Sequence, residues 1–242
     1  MSRTAMVLLA FFLGAFSFSA FSNVEDDSNQ MHQVWDELLQ KYVDKDGMVN
    51  YQGFKDDPRL PRYITVLQKM TPKEDWSKEE KMAYWINTYN AFAIKLVTDN
   101  YPIKSIMDLK EPFDQKFIKI GSRSFSLNEI ETEMLRKPYG DPRIHFGVNC
   151  ASMSCPKLSN RAFTADNLDD QLDKLTTEFV NNSQKNRITA GAITISKIFE
   201  WYKGDFTTDG TLIEWLNKYS NTEINTDASI SYRDYDWSLN GK

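Results

Sequence analysis

Between Met82 and Val97 the chain places apolar residues on almost every side of a helix, and a helix of that kind must be enclosed by the rest of the fold. Ser77 and Glu80 form the sequence pattern of a capping box just before it, and Tyr101-Pro102 closes it, so a helix is expected from about residue 78 to 98. Trp85, Tyr89, Phe92 and Leu96 make one stripe, and Asn87 and Asn90 share another with Ala83 and Ile94. Two amides inside a core are costly without hydrogen-bond partners. Asn87 and Asn90 therefore either brace neighbouring loops or orient a site residue or ligand.

Around this helix the pattern is mixed. Helical periodicity marks Val34 to Tyr42, Pro58 to Met70, Leu168 to Phe179, Ile198 to Tyr202 and Leu212 to Tyr219. His32, with Asp36 and Gln40, falls on the solvent side of the first of these. Asp44-Lys45-Asp46-Gly47 begins like a calcium loop but lacks the later ligands, so a turn into a short strand at Met48 to Tyr51 is expected. Hairpins are expected around Gly121-Ser122-Arg123 and Ala190-Gly191, and a strand with a bulge near Arg233-Asp234 from Ile230 to Leu239. A second capping box, Ser126 with Glu129, starts a helix carrying Leu127, Ile130 and Met134 inward, with Glu131 on the same stripe. The expected architecture is α+β: one helix-rich domain around a small, largely antiparallel sheet, with the 78–98 helix buried at its centre.

The first residues have the form of a signal peptide over 1–22, with Arg3, an apolar run from Met6 to Ala15 and Ala20-Phe21-Ser22 at cleavage spacing. A flexible start over 23–30 and one globular domain over 31–242 follow. The protein is thus expected to be exported, periplasmic or extracellular, with no membrane span once the leader is removed. A formal charge of −5 with no Lys/Arg block argues against a nucleic-acid partner. An unknown small molecule, peptide or envelope protein is the expected partner.

The chemistry-bearing residues concentrate in Arg143 to Pro156, which holds both cysteines and one of the two histidines. Ile144 to Cys150 is apolar enough for a central strand, whose alternation would put His145, Gly147 and Asn149 on one side and Cys150 on the other. Cys150 and Cys155, as Cys-x4-Cys in an exported chain, are also candidates for a local disulfide. Glu131 on an apolar stripe needs a partner, either an arginine such as Arg143 or Arg161, or an imidazole that it orients.

Trp85-Ile86-Asn87-Thr88-Tyr89-Asn90-Ala91-Phe92, Ser126 to Glu131, His145-Phe146 through Ser154-Cys155-Pro156, and Tyr235 to Asn240 occur in an order that resembles the landmarks of the domain of unknown function 547. The resemblance extends to the Trp35 to Tyr51 region. It implies one domain, found in exported bacterial proteins and, fused to other modules, in plants and animals. It carries no activity, but it matches Asn87, Tyr89, Asn90, Glu131, His145, Cys150 and Cys155 to family motifs.

A thiol enzyme of hydrolase or acyl-transfer type would use Cys150 or Cys155 as nucleophile, His145 as base, and Glu131 or an asparagine to orient the base. Asn87, Tyr89, Asn90, Asn149 and Cys155 are then candidates for ligand contact. The alternative is a non-catalytic envelope module that binds a ligand or partner, its cysteines clipped as a disulfide. A zinc site from His145, Cys150, Cys155 and Glu131 has suitable atoms, but His-x4-Cys-x4-Cys fits no common zinc spacing, so no metal or cofactor is assigned. Serine-hydrolase, zinc-protease, phosphate-loop and dinucleotide motifs do not occur.

Overall fold

The computed structural model describes residues 29–242. The expected leader and most of the expected flexible start lie outside them. Asn29, at the end of that start, is held by Asp166 and Ala165.

Helix α1 (Gln33–Tyr42) buries Trp35, Leu38 and Leu39. After a turn, in which Val43 and Val49 bridge, come α2 (Tyr51–Asp56) and α3 (Arg59–Lys69). Tyr51 therefore opens a helix where a strand end was expected. His32 also departs from expectation. It caps α1 from inside the core, 2% exposed, with Nδ1 2.7 Å from the Tyr63 hydroxyl. His32 lies in the turn that precedes the first residue of α1, outside the stretch whose periodicity sets the buried face of that helix.

The long helix α4 (Lys78–Asn100) is the centre of the molecule, with an unbroken buried run from Met82 to Ile94. The Ser77–Glu80 capping box is formed in both directions, with Ser77 N–H donating to Glu80 at 2.6 Å and Glu80 N–H to Ser77 at 3.1 Å. Strands β1 (Ile118–Ile120) and β2 (Arg123–Phe125) form an antiparallel hairpin. Ser126 then caps α5 (Leu127–Glu129), which widens into a π-helical stretch over Ile130–Arg136 before a last turn, α6 (Lys137–Tyr139). The wider spacing turns Ile130, Glu131 and Leu135 inward and leaves Met134 only partly buried.

The segment expected as a central strand is a one-turn helix, α7 (Ile144–Gly147). Short apolar runs do not distinguish strand from buried helix. Here Asp141 accepts the Arg143 N–H at 2.9 Å and opens the turn. Gly147 lies where an added Cβ would stand 3.0 Å from the Leu172 side-chain end on α8 (Leu168–Val180), so a side chain there would crowd Leu172.

A second sheet orders β3 (Arg187–Ile188), β4 (Ala192–Ile195) and β5 (Ser229–Tyr232) side by side, with β3–β4 antiparallel and β4–β5 parallel. Between β4 and β5 lie α9 (Ile198–Trp201), α10 (Lys203–Phe206) and α11 (Leu212–Asn217). The α+β architecture with a buried central helix is as expected, its strands divided between two small sheets. Past Tyr232 the expected strand gives way to an extended run that bridges Ser105 through Ser238 and Ser152 through Leu239. No helix among the described residues is long and apolar enough to cross a membrane.

Candidate functional site

The buried asparagines of α4 are clasps. Asn87 donates to the Phe163 carbonyl at 2.7 Å and accepts the Phe163 N–H at 3.0 Å. Asn90 does the same across the site loop, donating to Gly147 O at 2.9 Å and accepting Asn149 N–H at 2.8 Å. Each amide imitates a neighbouring strand and satisfies backbone that a loop would otherwise leave bare. Asn149 continues the series, donating to Pro156 O at 2.8 Å and accepting Ala151 N–H at 3.0 Å. These bonds hold Ala151 at φ 60°, a left-handed conformation that a residue with a Cβ rarely adopts. Cys150 and Ser152 flank this bend, so the strain sits next to the reactive atoms. The hydrogen bonds of Asn87, Asn90 and Asn149 are thus made to the protein itself.

Both cysteines are free thiols, and no disulfide joins them. Cys155 is buried and its sulfur accepts the Cys150 N–H at 2.9 Å. Cys150 is partly exposed, with its sulfur 3.2 Å from the Ser152 hydroxyl and 3.3 Å from that of Tyr235. Burial opposes ionisation of Cys150. Hydrogen bonds from Cys155, Ser152 and Tyr235 outweigh it and bring this thiol below the ordinary cysteine range. Burial, with the neighbouring Cys150 sulfur, pushes Cys155 well above that range. The pair is therefore polarised, with Cys150 the more acidic of the two thiols.

His145 is fixed from the far side. Its Nε2 lies 2.7 Å from Asp205 Oδ2, and Arg136 grips the same carboxylate at 2.7 and 3.1 Å. The bonds from His145 and then Arg136 hold Asp205 well below the usual carboxylate range. An ionised carboxylate only accepts, so Nε2 carries the proton and Nδ1 is the nitrogen left to exchange one. Nδ1 lies 3.8 Å from Glu131, beyond hydrogen-bond distance but close enough for charge to be felt. Tyr202 stacks on the imidazole at 4.0 Å between ring centroids. Arg143 instead pairs with Asp141, Asp169 and Asp173, and Arg161 with Asp36, so neither is the partner of Glu131.

These groups meet in one cavity of about 220 Å³, lined by Tyr89, Glu131, His145, Cys150 and Cys155 and closed by Trp201, Tyr202, Tyr235 and Trp237. Burial first, and then the Glu131 charge, raise the Tyr89 phenol well above its usual range. His145 is hydrogen-bonded to Asp205 and to neither sulfur, so the thiol and imidazole share a cavity without a direct bond. No group of three or more His, Cys, Asp or Glu side chains among the described residues is placed to hold a metal ion. Asp205, Arg136, Tyr202 and Tyr235 were not singled out as site residues from the sequence. The signal that existed was Tyr235 within a family landmark, while Asp205 sits in an unremarkable Lys203-Gly204-Asp205-Phe206 run.

A helix-rich α+β domain that gathers a polarised thiol pair and a carboxylate-anchored imidazole into one aromatic cavity defines the class of this protein. Residues 73–180 match the family model described as "Protein of unknown function, DUF547", in line with the resemblance its landmarks showed. No curated protein and no solved structure matches the chain.

Proposed function

We propose that this protein is a thiol-dependent hydrolase or acyl-transfer enzyme with Cys150 as its nucleophile. The observation that carries the reading is the asymmetry of the cysteines: Cys150, whose sulfur has three hydrogen-bonding neighbours, lines a cavity that also holds His145. The Cys150 thiol gives its proton to His145 Nδ1, directly or through a water, and its sulfur attacks a carbonyl carbon. Glu131 lies beside Nδ1, 3.8 Å away. The carbonyl–heteroatom bond then breaks, the leaving oxygen or nitrogen takes the proton from Nδ1, and a thioester remains on Cys150. Water deprotonated by Nδ1 hydrolyses the thioester and restores the thiol. In this scheme Asp205 is the orienting group for His145, a role the sequence suggested for Glu131.

Incubation with activated esters, followed by mass spectrometry of the intact protein, tests the reading. Acylation is expected on Cys150 in the wild type and absent in Cys150→Ser, with Cys155→Ser slowed but still acylated. Acylation spread over lysines, or unchanged in Cys150→Ser, would sink it. The binding-module alternative is favoured by the aromatic lining alone, and predicts ligand binding with no acyl-enzyme. Export rests on the leader pattern and predicts a secreted protein whose first residue is near Asn23.

A further inference from the structure

The walls of the cavity carry a charge pattern that acyl transfer alone does not require. Its mouth is aromatic: the Trp201 ring lies 4.8 Å from Tyr235 and 6.0 Å from Trp237, and Phe113 lies 5.9 Å from Trp237. Trp201 is 48% exposed, unusual for so large an apolar ring. Deeper in the same cavity lies the Glu131 carboxylate, whose side chain is 8% exposed. No lysine or arginine lines the cavity among the described residues. The cations nearest to it are engaged elsewhere, Arg136 with Asp205 and the Tyr202 ring, and Lys185 with the Met153 carbonyl. Glu131 makes no ion pair with a lysine or arginine among the described residues; its neighbours are His145 Nδ1 at 3.8 Å and the Tyr202 hydroxyl.

Aromatic faces are electron-rich, and several around one space attract a cation, the more so where water is partly excluded. A carboxylate in the same space adds to that attraction and repels an anionic ligand. A plain acyl chain would use the rings and make no use of the carboxylate. We propose that the cavity takes an organic ammonium group, its carbon shell packed on Trp201, Tyr235 and Trp237 and its charge directed at Glu131. Taken with the acyl-transfer reading, on which this part rests, the substrate is an ester, thioester or amide that carries an ammonium group a few bonds from the carbonyl.

The test uses the full chain as Cys150→Ser, which cannot turn over, and measures binding by calorimetry and tryptophan fluorescence. The probes are acetylcholine, its uncharged isostere 3,3-dimethylbutyl acetate, and the anion 3-sulfopropyl acetate. Acetylcholine is expected to bind about tenfold or more tighter than the neutral isostere, and the anion to bind least. Adding Glu131→Gln should abolish the preference, and Trp201→Leu, at an exposed position, should weaken it while the melting temperature holds. Equal binding of cation and isostere, or tighter binding of the anion, overturns the proposal. A cation preference in a protein that no ester acylates would leave this inference standing and remove the acyl-transfer reading. Acylation of the wild type that favours the neutral ester would do the reverse.

Discussion

His32 is a histidine enclosed in protein, and burial lowers its pKa to about 3. In the unfolded chain an ordinary histidine takes up a proton near pH 6.5. Between these values the unfolded state binds more protons, so the contribution of His32 is complete above about pH 6.5 and is lost as pH falls toward 3. Each pH unit inside that window costs about 1.4 kcal/mol. His32→Gln keeps a hydrogen-bonding group near Tyr63 and removes the titration. Denaturant melts at pH 6.5 and 5 should show a loss of about 2 kcal/mol in the wild type and a clearly smaller one in the variant; equal losses would refute the assignment. The other histidine depends on Asp205. Asp205→Asn removes the charge that fixes the Nε2–H tautomer, and acylation of Cys150 should fall on the order of a hundredfold or more with little change in substrate binding. A loss confined to binding would show that Asp205 acts only in packing. Neither role was legible from sequence, because His32 lies outside the stretch whose periodicity sets the buried face of α1 and nothing local links His145 to a residue sixty positions away.

Elements with a strong period were legible and those defined by a few bonds were not. The helices at Arg59–Lys69, Lys78–Asn100 and Leu168–Val180 each bury the stripe their spacing announces, and the one at Gln33–Tyr42 buries Trp35, Leu38 and Leu39 of its stripe but leaves Val34 exposed. The π-helical stretch and the one-turn α7 have no such period, and they are the elements that aim Glu131 and His145. The asparagine clasps were legible as a cost, in that two amides on a buried helix must find partners, but not as an address. They make the same prediction for stability and different ones for reactivity. Asn90→Ala strips partners from Gly147 O and Asn149 N, which should cost about 2–4 kcal/mol and loosen the loop that bends at Ala151. Asn87→Ala strips the equivalent pair at Phe163, away from the thiols, and should cost a similar amount. Thermal melts combined with iodoacetamide kinetics at Cys150 separate them. Stability should fall in both variants, whereas the pH midpoint of alkylation should rise only in Asn90→Ala. A matched shift in Asn87→Ala would mean that the clasps act on the thiol through global loosening.

At the scale of the whole molecule, the matched family segment, residues 73–180, supplies Tyr89, Glu131, His145 and both cysteines. The cavity nevertheless needs Trp201, Tyr202 and Asp205 from the helices after β4, and Tyr235 and Trp237 from the last stretch of the chain. That last stretch is threaded through the site. Met153 N–H donates to Ser238 O at 2.8 Å, Ser154 N–H to Asp236 O at 3.1 Å, and Asn240 N–H to Ala151 O at 3.3 Å. Tyr51 at the start of α2 donates to the Asn240 side chain at 2.6 Å, and Val49 N–H to the Asn240 carbonyl at 2.9 Å, so the α1–α2 region and the thiol loop are tied through one strap. Removing residues 234–242 should therefore act on reactivity as well as on stability. Cys150 would lose the Tyr235 hydroxyl, and its alkylation midpoint should rise toward the ordinary cysteine value of about 8.5 while the sulfur becomes easier to reach at high pH. Tyr235→Phe is the narrower form of the same experiment, because it keeps the ring against Trp201 and removes only the oxygen 3.3 Å from the sulfur. Its midpoint should rise with little change in melting temperature. If the midpoint stays low in Tyr235→Phe, the thiolate is held by Cys155 and Ser152 alone, and the strap is a wall of the cavity rather than part of its chemistry.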